Sequence, residues 1–152
     1  METTVFNFYF AEKEGRKQQD THKLFKAIEM GKYQAYTSKY VHDEIIKDTS
    51  SKFLKMNDLI DKYVKNIINY DQQAMDLANI YIENSIIPAK YIWDANHIAI
   101  ATINKLDFLV SYNMSHIIKL KTMIGTGFIN LHHDYQLIGL CTPSEVIYYG
   151  QN

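Results

Sequence analysis

Proline, cysteine and tryptophan are scarce in this chain: 152 residues hold two prolines, one cysteine, one tryptophan and only six glycines. The single cysteine, Cys141, rules out an internal disulfide and fits a reducing, cytoplasmic compartment. It sits in an apolar run, the setting of a core thiol, with no sign of activation as a nucleophile. Few prolines mean few obligatory breaks, which predicts a body with short loops. Neither sign of charge dominates, since 16 Lys and Arg stand against 17 Asp and Glu. That argues against a strongly basic nucleic-acid binder, but leaves room for an enzyme with a local basic rim. No run of about 18 apolar residues occurs, so no segment is expected to cross a membrane. The early stretch Val5-Phe6-Asn7-Phe8-Tyr9-Phe10 is short, lacks a basic leader and is broken by Asn7, unlike a signal peptide. The phosphate-binding fingerprints GxGxxG and GxxxxGK(S/T) are missing, as is the GxSxG nucleophile elbow.

What is present reads as one globular domain over residues 1–152, with 47% hydrophobic and 22% charged residues. A chain of this length can bury roughly 70% of its unfolded surface. The most informative stretch runs from Trp93 to His116. Asp94 opens a helix in which Ile98, Ala99 and Ala101 turn toward a core, and the small residues allow close approach to a sheet. His97 shares a helix face with Asp94, three residues on. Asp107 to Ser111 has the length of an interior strand, and Asn113, Ser115 and His116 follow its end. Trp93 reads as a core anchor rather than a stacking platform.

Several further elements follow from the pattern. Thr3 or Thr4 is expected to cap a short helix whose apolar side is Val5, Phe6 and Tyr9. From position alone Glu2 reads as a frayed, solvated acid. Arg16 to Met30 should be a helix with Gly31 as its C-cap. Tyr33 to Thr37 reads as a strand, and Ser38 can cap a helix to Lys47 with Val41 and Ile45 inward. Glu44 borders that apolar face, where a charge is ordinarily solvated. Ser50 or Ser51 can start a helix with Leu54, Ile60, Tyr63, Val64 and Ile67 as its stripe, although Asn66 to Tyr70 can instead close as a strand. Asp71 should begin a helix to Asn84 that buries Ala74, Leu77, Ala78 and Tyr81. Ile86-Ile87-Pro88 breaks it. A helix from Ile117 to about Ile124 is interrupted by Gly125 and Gly127. Gln136 to Cys141 reads as the last strand, and Thr142-Pro143-Ser144-Glu145 is a strong helix start. Short apolar strands separated by helices favour an α/β fold with a parallel sheet and helices on both faces.

The chemistry left to the chain lies in acids and one amide. Glu2, Glu44, Asp94 and Asn113 each fall at the edge of a regular element, and such edges converge in a doubly wound sheet. Carboxylates brought together repel unless a divalent cation joins them. Mg²⁺ or Mn²⁺ prefers such oxygen ligands. His132-His133-Asp134 holds metal-binding residue types, but adjacent histidines point different ways. Lys119 and Lys121 are phosphate-contact or solubilising residues. Asp107 lies roughly 16 Å from the end of its strand, at about 3.3 Å per residue, and reads as a turn or cap residue.

Taken in order, four pieces resemble the PIN-domain family, in its toxin-like (VapC-type) ribonuclease branch. They are Glu2-Thr-Thr-Val-Phe; Thr37-Ser38 with Val41 and Glu44-Ile45; Asp94-Ala-Asn-His97-Ile-Ala-Ile-Ala; and Asp107-Phe-Leu-Val-Ser-Tyr-Asn113-Met-Ser-His116. The tail Cys-Thr142-Pro143-Ser-Glu145 is similar to the family's closing strand and helix. The resemblance covers nearly the whole chain. It implies a three-layer α/β/α sandwich around a mainly parallel sheet. It also implies an acidic pocket for Mg²⁺ or Mn²⁺, and hydrolysis of single-stranded RNA by a metal-activated water. Glu2, Glu44 and Asp94 take the three acidic positions, and Asn113 stands where many members have a fourth acid. Ser38, His97 and His116 match polar positions that orient or contact substrate. The resemblance further implies an antitoxin partner and a homodimer, for which the apolar, tyrosine-rich helices could supply surfaces. It departs from the family at two points. Only Met1 precedes Glu2, so the opening strand is expected to be truncated or missing. Asn113 adds an amide oxygen but no charge. Two other readings stand beside the nuclease: a PIN-like fold that lost catalysis and acts as a binding or structural module, and an unrelated α/β small-molecule binder.

Overall fold

A computed structural model describes residues 1–47 and 51–150. It resolves into two compact units: Met1–Asn69 together with Thr142–Asn152, and Tyr70–Cys141. Each is an α/β arrangement carrying one two-stranded parallel sheet, so the expected single sheet is described as two pairs.

The first unit contains α1 (Thr3–Tyr9), α2 (Gly15–Glu29), β1 (Ala35–Ser38), α3 (Lys39–Lys47), α4 (Ser51–Tyr63), β2 (Val64–Ile68) and the closing helix, Pro143–Tyr149. A start at Ser50 lies outside the described residues. β1 and β2 run parallel, with Thr37 opposite Ile67. Met1 lies beside β1: its amino nitrogen donates to the Tyr36 carbonyl at 2.7 Å, and its own carbonyl accepts from the Thr37 hydroxyl at 3.0 Å. Among the described residues no strand precedes α1. The core is aromatic. Phe25 meets Phe6, Tyr9 and Tyr63 edge-on, with centroids 5.0–6.1 Å apart, the arrangement that ring quadrupoles favour. Leu54 does not join the stripe expected of α4 and is 63% exposed, whereas Ile60 is buried. Val64 and Ile67 belong to β2 instead. Gly31 takes φ +74° past the end of α2. There Lys32 N–H reaches Ala27 O and Gly31 N–H reaches Ile28 O, which satisfies two end carbonyls.

The second unit contains α5 (Gln72–Glu83), α6 (Ile92–Ile103), β3 (Phe108–Val110), α7 (Leu120–His132) and β4 (Gly139–Cys141). A 3-10 turn, Ala89–Tyr91, leads into α6. Asp71 caps α5 by accepting from Ala74 N–H, and Ala74, Leu77, Ala78 and Tyr81 are its buried set, as their spacing predicts. Alanines on both helices let α5 and α6 pack closely. Trp93 is 45% exposed and is not a core anchor. The last helix of the chain, α8 (Pro143–Tyr149), opens on the expected capping box, with the Glu145 carboxylate accepting from Thr142 N–H at 2.7 Å.

α7 differs most from expectation. It begins at Leu120 and runs unbroken through Gly125 and Gly127 to His132. A glycine inside a helix costs about 1 kcal/mol relative to alanine, so each needs a reason. At Gly125 a Cβ would meet three side-chain atoms of Ile86 at 2.9–3.1 Å, and only glycine leaves room for that isoleucine. The inward face of α7 is polar. Asn130 accepts from the Tyr81 hydroxyl at 2.5 Å and donates to Thr102 at 3.2 Å. Thr126 and Thr122 donate back to the Thr122 and His116 carbonyls. Lys121 donates to the Ser85 carbonyl at 2.7 Å, beyond the end of α5.

Candidate functional site

In the first unit, Glu2 is neither frayed nor solvated. It is 6% exposed and extended (φ −105°, ψ 175°), and it caps α1 in place of the expected threonine. Its Oε1 accepts from Thr4 N–H at 3.1 Å and also from the Thr4 hydroxyl. A carboxylate at a helix start is favoured by the unpaired N–H groups and the dipole there. Glu44 lies on α3, exposed at the edge of the face that buries Val41 and Ile45. Its Oε2 accepts from the Thr3 hydroxyl at 2.6 Å. Glu2 and Glu44 are therefore fixed by consecutive threonines of one helix start, across 41 positions of sequence in the second case. Ser38 is buried at the end of β1, and its Oγ accepts from Val41 N–H at 3.3 Å, as expected of a cap.

In the second unit, Asp94 stands in the first turn of α6. Asn113, just beyond β3, donates its amide nitrogen to Asp94 Oδ1 at 3.1 Å. The amide oxygen of Asn113 accepts from His116 N–H at 3.1 Å, and its backbone N–H donates to Ser111 Oγ at 2.8 Å. The orientation of this amide follows from its partners: nitrogen toward the carboxylate, oxygen toward a backbone donor. As it stands, Asn113 holds Asp94 rather than offering its oxygen outward. Burial pushes the Asp94 carboxyl above its usual range, with the Asn113 hydrogen bond acting in the opposite direction. The His116 ring stacks on Tyr91, with centroids 3.6 Å apart and planes 26° from parallel. Lys90 Nζ lies 4.8 Å from the Tyr91 centroid. Desolvation lowers the His97 imidazole to about 4, so it is neutral at pH 7.

Asp107 is exposed at the entry to β3, and its carbonyl accepts from Gly139 N–H at 2.8 Å. His132 and His133 are exposed with ring planes 88° apart, pointing different ways as adjacent histidines should. Among the described residues, no three His, Cys, Asp or Glu side chains form a group that could hold a metal ion.

The site roles of four contributors were not read from sequence, where Thr3 and Thr4 stood only as candidate helix caps. Thr3, Thr4 and Ser111 fix the acids and the amide, and Tyr91 stacks on His116. The two threonines carried a signal, since they follow Glu2 directly where a capped helix begins. Tyr91 carried none, because stacking on His116 depends on a fold that joins distant positions. Comparison of the chain with models of known families, with curated proteins and with solved structures finds no match.

Proposed function

We propose that the chain is a Mg²⁺- or Mn²⁺-dependent endoribonuclease acting on single-stranded RNA, and the toxin of a type II toxin–antitoxin pair. The observation that carries the reading is the Asn113–Asp94 hydrogen bond. It joins, within one unit, the amide and the acid that the resemblance assigns to one site. Two further features support it. Burial raises the Asp94 carboxyl above its usual range, and a cation beside it would favour the charged form. Glu44 is held by the Thr3 hydroxyl at one oxygen, and a carboxylate has acceptor positions for more than one partner.

Carboxylates suit Mg²⁺ or Mn²⁺ by chemistry, and Glu2 and Glu44 in the first unit and Asp94 in the second are the acids that the resemblance assigns to the ion, with Asn113 holding Asp94 in place. Mg²⁺ keeps several waters and takes one or two carboxylates plus substrate phosphate oxygens, so a group of three preformed ligands is not required of it. The ion, when bound, supplies Lewis-acid stabilisation of the phosphodiester and lowers the pKa of water. The chain's own part is to orient the acids. Asn113 fixes Asp94, Thr3 fixes Glu44, Thr4 fixes Glu2, and His97, neutral at pH 7, can offer one ring nitrogen as a hydrogen-bond donor and the other as an acceptor.

The test is cleavage of end-labelled single-stranded RNA by the full chain with Mn²⁺ or Mg²⁺, and with chelator. Cleavage is expected only with the ion. Asp94→Asn and Glu44→Gln should each lower it about 100-fold or more, with the double variant little worse than either, as for residues acting as a unit. Undiminished cleavage by the double variant overturns the assignment. RNA binding without cleavage under any ion supports the non-catalytic module instead.

A further inference from the structure

The outward face of α7 is apolar, the reverse of an ordinary surface helix. Leu120, Met123, Ile124, Phe128 and Leu131 are 41–71% exposed. At the helical repeat they span an arc of about 140° along the length of the helix. Thr122, Thr126 and Asn130 face inward and are buried. Leu137 extends the exposed patch, with its Cδ2 3.4 Å from where a Gly127 Cβ would sit. The charge around this arc has one sign. Lys119 precedes it, and Lys121 and His132 border one side of it. From Phe108 to His133 the chain holds no Asp or Glu, although it has 17 in all, and the next acid, Asp134, lies beyond the helix end.

We infer that this face lies in the surface of an anionic phospholipid bilayer, with the α7 axis parallel to the membrane plane. Three observations favour lipid over a protein partner. The arc presents no side-chain hydrogen-bonding group, and the backbone bonds of a helix body are internal, so nothing polar is left unpaired in hydrocarbon. Tyrosine, tryptophan and arginine anchor protein interfaces, yet none of the chain's 12 tyrosines, nor its tryptophan, nor any arginine lies on the arc. The cations stand at the rim. There Lys119 and Lys121 can reach lipid phosphates while the apolar side chains enter the acyl boundary to about 5–10 Å. Lys121 Nζ donates to the Ser85 carbonyl at 2.7 Å, an exposed bond that a charged phosphate can replace. The contact is with one leaflet, since no helix among the described residues is long and apolar enough to cross a membrane. The inference does not depend on the nuclease reading.

The test is flotation of the full chain with phosphatidylcholine vesicles, with and without phosphatidylserine. Binding is expected to both, with the partition coefficient about tenfold higher when the anionic lipid is present, and that gain should vanish in high salt. Phe128→Gln with Leu131→Gln should lower partitioning at least about 100-fold. The thermal midpoint should hold, because both side chains are exposed. Lys119→Gln with Lys121→Gln should abolish the gain from phosphatidylserine and leave binding to phosphatidylcholine alone unchanged. Leu54→Gln, at an exposed apolar site of the first unit, should change neither. A chain that stays out of both kinds of vesicle, or flotation unaffected by the glutamine pair at Phe128 and Leu131, overturns the inference. Association of the chain through α7 without flotation also overturns it, and assigns the face to a protein.

Discussion

The two units solve the same packing problem with opposite materials. The first gathers large rings: Phe6, Tyr9 and Tyr63 around Phe25. The second packs alanine-rich helices close together and closes the gap with polar groups, Tyr81 to Asn130 to Thr102. A ring cluster draws its stability from apolar area. A buried polar network draws its specificity from full satisfaction and loses sharply when one member is removed. The helix ends differ too. α2 leaves through Gly31, whereas α5, α6 and α7 leave through Ser85, Lys105 and Asp134 at φ 52–58°, a conformation that side chains rarely adopt.

The largest expected effect tests the ring cluster. Phe25→Ala should cost about 3–5 kcal/mol in denaturant unfolding, with hydrogen-exchange protection lost first in α1, α2 and α4. Protection lost equally in α5 and α6 would show that the two cores do not fail separately.

Acid should act on the second unit. His97 titrates near 4 when folded and near 6.5 when unfolded, so the unfolded state binds the proton first as pH falls. Stability is full above about pH 6.5 and declines toward pH 4 by at most about 3 kcal/mol. The raised Asp94 carboxyl works the other way at the lower end of that window. His97→Gln should flatten the decline measured by thermal midpoints across pH, and an unchanged slope would remove His97 from the account.

Tyr81→Phe should cost about 1–3 kcal/mol, since it leaves Asn130 without its hydroxyl partner in a buried site. A double-mutant cycle with Asn130→Leu should show that the two losses do not add.

The smallest effect has opposite signs in the two units. Gly31→Ala should destabilise by about 1 kcal/mol, while Lys105→Gly should stabilise by about 0.5–1 kcal/mol. Equal signs would show that backbone strain does not distinguish these helix ends.

These contrasts also mark what a sequence can disclose. α5 and the Thr142–Glu145 box were legible because caps and stripes are written within a few residues, whereas α6 was legible from its apolar residues alone and starts at Ile92, without a side-chain cap, rather than at Asp94. Ser38 was legible for the same reason. Glu2 was misjudged because its cap depends on where α1 starts, and threonine is the commoner capping residue. α7 was cut short at its glycines because the reason for Gly125 is Ile86, far away in the chain. Its reversed polarity was hidden because Thr122, Thr126 and Asn130 find partners only after folding. Asn113 was placed beside Asp94 only through the family likeness. That its amide nitrogen faces the carboxylate is a property of the assembled pair.

The first unit is written in two pieces, residues 1–69 and 142–152, with all of the second unit between them. During synthesis the second unit is fully available to fold as soon as β4 clears the ribosome. The first must wait with α2 uncovered until α8 arrives, when the Tyr33 hydroxyl can donate to the Val146 carbonyl. Loss of the last turn of α8 would therefore harm a helix made near the beginning of synthesis.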